Sequence, residues 1–147
     1  MASVVFASFV AKATRKVLRL FGKGATTLPG KLALKINPTI IRKLSVDKDI
    51  ITVTGTNGKT TTTHMIVEML SNIGFDVVTN ISGANLASGI ATTLICGGDE
   101  IIKAQGGSKQ KTKTVYGLET DEAAFAKIAG DLQPKVSVVS NLFRDQL

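Results

Sequence analysis

The chain has 147 residues, of which 44% are hydrophobic and 20% are charged. This length and composition are typical of one globular domain, so we expect neither a large multidomain protein nor a disordered chain. No apolar run approaches the ~20 residues that a membrane-spanning helix needs. A single cysteine, Cys96, excludes an intrachain disulfide and fits a reducing cytosol.

The net charge of +7 is concentrated near the N-terminus. Residues 1–48 contain ten Lys or Arg residues and one acidic residue, Asp47, whereas the remainder contains eight basic and ten acidic residues. We therefore predict a basic, helical N-terminal arm over residues 1–48 that is joined to a nearly neutral body over residues 49–147.

The arm begins with an amphipathic pattern. At about 100° per residue, one side of a helix collects the apolar residues Phe6, Val10, Ala13, Val17, Leu20 and Phe21. The other side collects the basic residues Lys12, Arg15, Lys16, Arg19 and Lys23. We favour a helix that packs its apolar side on the rest of the protein, because any surface helix is amphipathic. The alternative is contact with an anionic membrane surface or an acidic partner. Nucleic acid is a weaker alternative, since the charged side has no aromatic residue for base stacking.

Two joints are predicted in the arm, at residues 22–30 and 45–49. The first contains a predicted turn, Leu28-Pro29-Gly30. A second mixed segment, residues 31–44, is interrupted at Asn37-Pro38. Because proline disfavours a helical conformation of the residue before it, we expect a helix to begin at about Thr39.

Beyond the arm, strand and helix patterns alternate. Runs rich in β-branched residues predict strands at residues 50–54, 75–79, 114–118 and 136–139. Helical spacing of apolar residues predicts helices at residues 59–73, ended by Gly74, and at 85–95 and 121–132. Residues 97–113 are polar and lysine-rich, which predicts mostly a surface loop with room for a short strand at Ile101 and Ile102. Strands separated by helices predict an α/β fold with a doubly wound parallel sheet.

The most informative motif lies between the first strand and its helix: Gly55-Thr56-Asn57-Gly58-Lys59-Thr60-Thr61-Thr62. At such a junction the free backbone N–H groups and the positive end of the helix dipole favour an anion. Glycines let phosphate oxygens approach the main chain, Lys59 can reach terminal phosphates, and the Thr60 hydroxyl can complete a magnesium shell. The spacing departs from the common phosphate-loop pattern, because Val53 stands where that pattern has its first glycine.

An acidic residue supports this interpretation. Glu119 follows the third strand, at the carboxyl edge of the sheet where ligands of open α/β folds bind, and is a candidate magnesium ligand. Asp121 and Glu122 are more simply explained as the start of the next helix, with Thr120 or Asp121 as its cap.

Three other polar residues are weaker candidates. Asn85, after Gly83 and Ala84, either caps a helix or faces the phosphates. His64 has no second histidine to pair with, which favours an ordinary solvated or packed helical residue. Cys96 ends an apolar run and is predicted to be a small buried residue rather than a nucleophile.

Residues 53–61 resemble the ATP-binding loop of the Mur ligase and folylpolyglutamate synthase family. The resemblance spans nearly the whole chain through four further segments: Leu28-Pro29-Gly30, Gly83-Ala84-Asn85-Leu86, Leu118-Glu119-Thr120-Asp121-Glu122 and Asn141-Leu142-Phe143-Arg144-Asp145-Gln146-Leu147. It implies the central ATP-binding domain of a carbon–nitrogen ligase of peptidoglycan biosynthesis. It also implies that Gly55 to Thr61 hold the phosphates of ATP, Thr60 and Glu119 hold Mg²⁺, and Asn85 lies near the γ-phosphate, with Lys59 and Glu119 acting in catalysis.

The four segments are most similar to the amide-forming branch of that family. Such enzymes convert the α-carboxyl of D-glutamate in the lipid II stem peptide to an acyl phosphate, and ammonia from a separate GatD-like glutaminase then gives D-isoglutamine. The resemblance thus implies a cytoplasmic enzyme working at the inner face of the membrane. An amino-acid-adding Mur ligase or folylpolyglutamate-type ligase is one alternative, and a nucleotide-binding membrane-surface adaptor without catalysis is another.

The chain departs from the family at its end. Gln146 stands where many Mur ligases have histidine, and relatives continue well beyond Leu147. The resemblance therefore implies an N-terminal fragment with little or no synthase activity by itself. Adenine contacts, any zinc ribbon and the glutaminase interface are expected beyond residue 147.

Overall fold

The computed structural model describes residues 3–22, 24–80, 84–104 and 113–142, with backbone only for residues 100–104. Six helices occur in these ranges: α1 (Val4–Leu20), α2 (Leu28–Ile36), α3 (Ile40–Ser45), α4 (Lys59–Asn72), α5 (Ala87–Ala104) and α6 (Glu122–Leu132). The four strands are β1 (Asp49–Thr54), β2 (Asp76–Thr79), β3 (Thr114–Glu119) and β4 (Val136–Val139). All four predicted strands are confirmed within one residue at each end.

The strands form one parallel sheet in the order β2-β3-β1-β4, which confirms the predicted doubly wound α/β fold. The central strand β1 places Thr52 beside Leu118 of β3 and Ser137 of β4. Because crossovers between parallel strands are right-handed, α4 covers one face of the sheet and α5 and α6 cover the other. The carboxyl ends of all four strands consequently meet at one edge.

The main core lies between the sheet and the layer of α5 and α6. Its largest side chains are almost fully buried: Ile50, Ile90, Leu118 and Leu132. Burying each such side chain stabilises the fold by about 1.5–3 kcal/mol, so this layer holds the carboxyl edge of the sheet in a fixed shape.

Helices α2 and α3 pack on this layer from outside. Residues 28–30, predicted as a turn, instead form the first turn of α2. Proline is tolerated there because the first helical N–H groups have no intrahelical acceptor. Gly30 brings α2 close to α5, since a Cβ on it would lie 2.8 Å from the Thr92 backbone nitrogen. The predicted division between residues 48 and 49 falls between α3 and β1 and stays a prediction.

Helix α1 is confirmed, but its packed side is not the one we favoured. It buries the small residues Ala7 and Ala11 against a second cluster that includes Ile95 and Cys96. The apolar residues predicted to be packed are largely exposed, including Phe6 at 56% and Leu20 at 78%. The small side chains at this contact let the helix axes approach closely.

Helix α5 is longer than predicted. The expected surface loop over residues 97–113 and its short strand are wrong for residues 97–104, which continue the helix. A Cβ on Gly97 would clash with Val78 Cγ1, so this glycine permits close packing of α5 on β2. Residues 105–112 lie outside the described residues.

Helix α4 ends as its sequence predicts. Gly74 has a φ of +93°. The Phe75 N–H donates to the Leu70 carbonyl at 3.0 Å, and the Gly74 N–H donates to the Ser71 carbonyl at 3.1 Å. These two bonds satisfy carbonyls of the last turn and fix the reversal into β2.

Candidate functional site

The loop between β1 and α4 has the backbone that its glycines permit. Gly55 has a φ of +133° and Gly58 a φ of +81°. A Cβ on Gly55 would lie 2.7 Å from the Asn141 carbonyl oxygen, so only glycine fits there. Asn57, Gly58 and Thr60 are exposed to solvent, and the first N–H groups of α4 have no intrahelical acceptor. The loop therefore offers an accessible, electropositive surface at a helix N-terminus.

Two residues after β4 support this loop from the side. The Asn141 carbonyl accepts from the Thr56 N–H, and Asn141 Oδ1 accepts from the Asn57 N–H, both at 2.9 Å. The Ser140 hydroxyl donates to the Asn57 carbonyl at 2.6 Å. These bonds engage two loop amides and leave the helix N-terminus as the open face. Residues 143–147 of the terminal motif, including Gln146, lie outside the described residues.

Lys59 folds back over the loop that precedes it. Its ammonium group donates to the carbonyls of Gly55 and Thr56, the latter at 3.1 Å. It also lies 3.8 Å from a carboxylate oxygen of Glu122. Only 15% of its side chain is exposed. The positive charge is thus held at the junction where the sequence predicts phosphate binding.

Thr60 and Glu119 come together as the prediction of a shared magnesium site requires. The Thr60 hydroxyl donates to Glu119 Oε2 at 2.9 Å. Thr60 lies in the first turn of α4 and Glu119 is the last residue of β3, so the parallel order of β3 beside β1 creates the contact. A hydroxyl and a carboxylate are both oxygen ligands of the kind that Mg²⁺ prefers.

Asn80 holds the backbone beside Glu119 and was missed by the sequence analysis. Its Nδ2 donates to the Glu119 carbonyl at 2.8 Å and to the Ala84 carbonyl at 3.0 Å, and its Oδ1 accepts from the Glu119 N–H at 2.8 Å. The side chain is 7% exposed, which makes these bonds difficult to replace with water. The position of Asn80 in the sequence could have predicted this role, because it is the first residue after β2 and so lies at the carboxyl edge of the sheet, as Glu119 does.

The residues after Glu119 mostly position the next helix. Asp121 caps α6 by accepting from the N–H groups of Ala123 and Ala124, as predicted. Its own N–H donates to the Asn85 carbonyl at 3.0 Å. Asn85 therefore lies beside this edge of the sheet. Its contact with the phosphates stays a prediction, and Gly83 lies outside the described residues. Glu122, read as a helix-start residue, is also the carboxylate nearest to Lys59 in the described part of the chain.

His64 and Cys96 have the burial that the sequence predicts, and the absence of a functional role for them stays a prediction. His64 is exposed on α4, beside Glu68 and Asn72. Cys96 is 3% exposed, and burial raises the pKa of its thiol, which favours the protonated form.

With this geometry established, residues 53–147 match the model of the Mur ligase middle domain. The chain belongs to the Mur ligase family. It is 41% identical over 131 residues to the MurT subunit of lipid II isoglutaminyl synthase (glutamine-hydrolyzing) from Streptococcus pneumoniae. That match covers 89% of this chain and 27% of the relative. The chain is 38% identical over 140 residues to the corresponding MurT subunit from Staphylococcus aureus, covering 94% of the chain and 29% of the relative.

Solved structures confirm the fold of this family member. A crystal structure of MurF from Acinetobacter baumannii matches with a TM-score of 0.52 at 20% identity, over 74% of this chain and 22% of that chain. The chain spans less than a third of the length of the curated relatives it matches. Among the described residues, no helix is both long and apolar enough to cross a bilayer.

Proposed function

We propose that this chain carries the ATP-binding loop of an ATP-dependent ligase that amidates the α-carboxyl of D-glutamate in the lipid II stem peptide. The observation that carries the proposal is the convergence of Lys59, Thr60 and Glu119 at the junction of β1 and α4. The similarity to MurT subunits over most of the chain supports this acceptor over that of the amino-acid-adding ligases.

The residues at the junction fit ATP and Mg²⁺. Thr60 and Glu119 supply two oxygen ligands 2.9 Å apart, which suits one Mg²⁺ ion held through a hydroxyl and a carboxylate. Lys59 and the open N–H groups of α4 supply positive charge for the β- and γ-phosphates. Gly55 and Gly58 keep side chains out of the path of the phosphates.

These groups address the main electrostatic difficulty of the reaction. A carboxylate acceptor and a triphosphate repel each other, and Lys59 with the helix N-terminus offsets this repulsion where the two meet. When bound, ATP would supply its γ-phosphoryl group to the carboxylate and leave as ADP, and ammonia would then displace inorganic phosphate from the acyl phosphate to form the amide. Asn80 fixes the backbone at Glu119, and Asn141 fixes the loop, so the charged groups stay aligned without reorganisation.

The proposal includes partners and a location. In this proposal a GatD-like glutaminase subunit supplies the ammonia. The names of the similar MurT proteins support it, since they describe a subunit of a glutamine-hydrolysing synthase. Lipid II is anchored in the membrane, so the enzyme works at the inner face of the cell membrane. Since the chain covers under a third of its relatives, we expect little or no amidation from it alone.

Nucleotide binding tests the proposal directly. We expect Lys59→Ala to weaken Mg²⁺-dependent ATP binding about 10- to 100-fold, because a charge-assisted hydrogen bond contributes about 1.5–3 kcal/mol. Lys127→Ala, which removes an exposed lysine from α6, is the matched control and should leave binding unchanged. Titration calorimetry with and without Mg²⁺ measures both. Equal ATP affinity in Lys59→Ala and the unchanged chain would refute nucleotide binding at this loop.

The magnesium ligands are tested by a separate comparison. Thr60→Val and Glu119→Gln should each reduce the gain in ATP affinity that Mg²⁺ provides, while binding in the presence of EDTA should not weaken. A polypeptide extended to the length of the MurT relatives, given lipid II, ATP and a glutaminase, should then convert glutamine nitrogen into the stem-peptide amide. Incorporation of an amino acid in place of ammonia would favour an amino-acid-adding ligase.

A further inference from the structure

Helix α1 has an apolar strip that nothing in the described residues covers. It packs on α2 and α5 through Ala7 and Ala11, which are fully buried. At about 100° per residue, Phe9 and Leu20 lie roughly half a turn away from that packed side. They are 69% and 78% exposed, and two further phenylalanines, Phe6 within α1 and Phe21 directly after it, are also exposed. Aromatic and aliphatic side chains of this size are costly to leave in water.

A basic strip runs beside the apolar one. Lys12, Arg15, Lys16 and Arg19 line a cleft of about 380 Å³ together with Cys96 and Asp99. Asp99 pairs with Lys12 at 2.7 Å. Four cationic side chains thus lie along one side of α1, and residues 1–48 carry ten basic residues against one acidic residue, so this part of the surface attracts anionic groups.

The apolar and basic strips together indicate which kind of partner contacts the exposed side of α1. A helix that exposes an apolar strip with flanking Lys and Arg residues has the properties of one lying in a bilayer interface. A second copy of this chain is disfavoured, because self-association through α1 would bring two arms of net positive charge together. The surface instead complements a layer that is apolar inside and anionic outside.

We propose that α1 is a membrane-contact surface: Phe9, Leu20 and their neighbours enter the headgroup region of an anionic phospholipid bilayer, and lipid phosphates bind at the basic cleft. The proposal rests on the proposed function only for the presence of a membrane-bound acceptor. Its test uses neither nucleotide nor acceptor, so the two proposals can fail separately.

Vesicle binding by the full chain measures the contact. The chain has no tryptophan, so Phe9→Trp introduces a single reporter within the apolar strip. We expect its emission to shift to the blue with phosphatidylcholine vesicles containing phosphatidylglycerol, and brominated acyl chains to quench it. Pure phosphatidylcholine vesicles should produce a much smaller shift.

Two pairs of variants test the two strips in co-sedimentation with the phosphatidylglycerol vesicles. Phe9→Ser with Leu20→Ser should weaken binding at least about tenfold. The control, Met69→Ser with Ile73→Ser, removes apolar side chains of similar exposure at the C-terminal end of α4 and should change binding less than twofold. All four positions are exposed, so the unfolding midpoint should stay close to that of the unchanged chain.

The charges are tested in the same assay. Lys16→Gln with Arg19→Gln should weaken binding about 25-fold, from about fivefold per neutralised cation. The control, Lys43→Gln with Lys127→Gln, makes the same change in net charge on α3 and α6 and should have a much smaller effect. The proposal would be overturned by equal effects of the strip and control variants, or by equal binding to neutral and anionic vesicles. It would also be overturned if the Phe9→Trp emission were already blue-shifted without lipid, because a second copy or another part of the polypeptide would then cover α1.

Discussion

Replacing Asn80 should show how strongly the site depends on the sheet that carries it. Its side chain makes three buried hydrogen bonds, two with the backbone of Glu119 and one with the carbonyl of Ala84. Asn80→Ala removes all three and leaves their backbone partners unpaired. At about 1 kcal/mol for each bond, we expect the free energy of unfolding to fall by about 3 kcal/mol. Asn80→Asp should cost a similar amount at neutral pH, because a buried carboxylate cannot donate to the two carbonyls.

Urea unfolding followed by circular dichroism measures this loss, and in thermal unfolding it corresponds to roughly 6–12 °C. Asn72→Ala, at an exposed position in the last turn of α4, is the control and should change the free energy of unfolding by less than about 0.5 kcal/mol. Mg²⁺-dependent ATP binding should weaken in Asn80→Ala as well, because the Glu119 backbone loses its support. A loss of stability below about 1 kcal/mol in Asn80→Ala would refute this account of the strand end.

Two further predictions concern packing and charge. Gly30→Ala should lower the free energy of unfolding by at least about 2 kcal/mol, because the new Cβ meets the backbone of α5. In the same urea experiment the control Gly130→Ala in α6, where a Cβ has nothing within 4 Å, should raise it by about 0.5–1 kcal/mol. Equal effects of the two substitutions would contradict the close contact between α2 and α5. Hydrogen bonds from Lys113 and Lys135 hold the pKa of Asp49 below its ordinary value, so the stability they provide is present at neutral pH and is lost as pH falls through the lowered pKa. Asp49→Asn should therefore flatten the acid side of the stability profile, and an unchanged slope would show that these ion pairs do not contribute.

Local sequence patterns predict the strands and the phosphate loop because short-range chemistry determines them. The β-branched run of β1 and the glycines that follow it are sufficient to place the loop at the start of α4. Gly30 and Gly97 show where that reasoning stops. Locally they favour a turn or a loop, yet both lie in helices that need glycine for a close approach to a neighbouring element. That need depends on tertiary packing, which periodicity does not report.

Helix α1 shows a related limit. Its spacing separates apolar from basic residues, but it does not indicate which strip meets the protein. The packed strip is the one with the smallest side chains, Ala7 and Ala11, because it lets α1 approach its neighbours closely. The larger apolar residues stay outside, and this reversal turns an expected docking helix into a candidate membrane-contact surface.

The residues of the site lie at the carboxyl ends of the parallel strands, and the sequence analysis used this rule for β1 and β3 but not for β2 and β4. Glu119 was predicted because it ends a strand of a parallel sheet, and the same rule applies to Asn80 after β2 and Ser140 after β4. Together with Gly55 after β1, each strand end contributes at least one residue to the site. Which residues contact each other depends on the order β2-β3-β1-β4, which sets Asn80 beside Glu119 and Ser140 beside the loop. Strand order arises from long-range packing of α4, α5 and α6, so the sequence can give the members of the site but not their pairing.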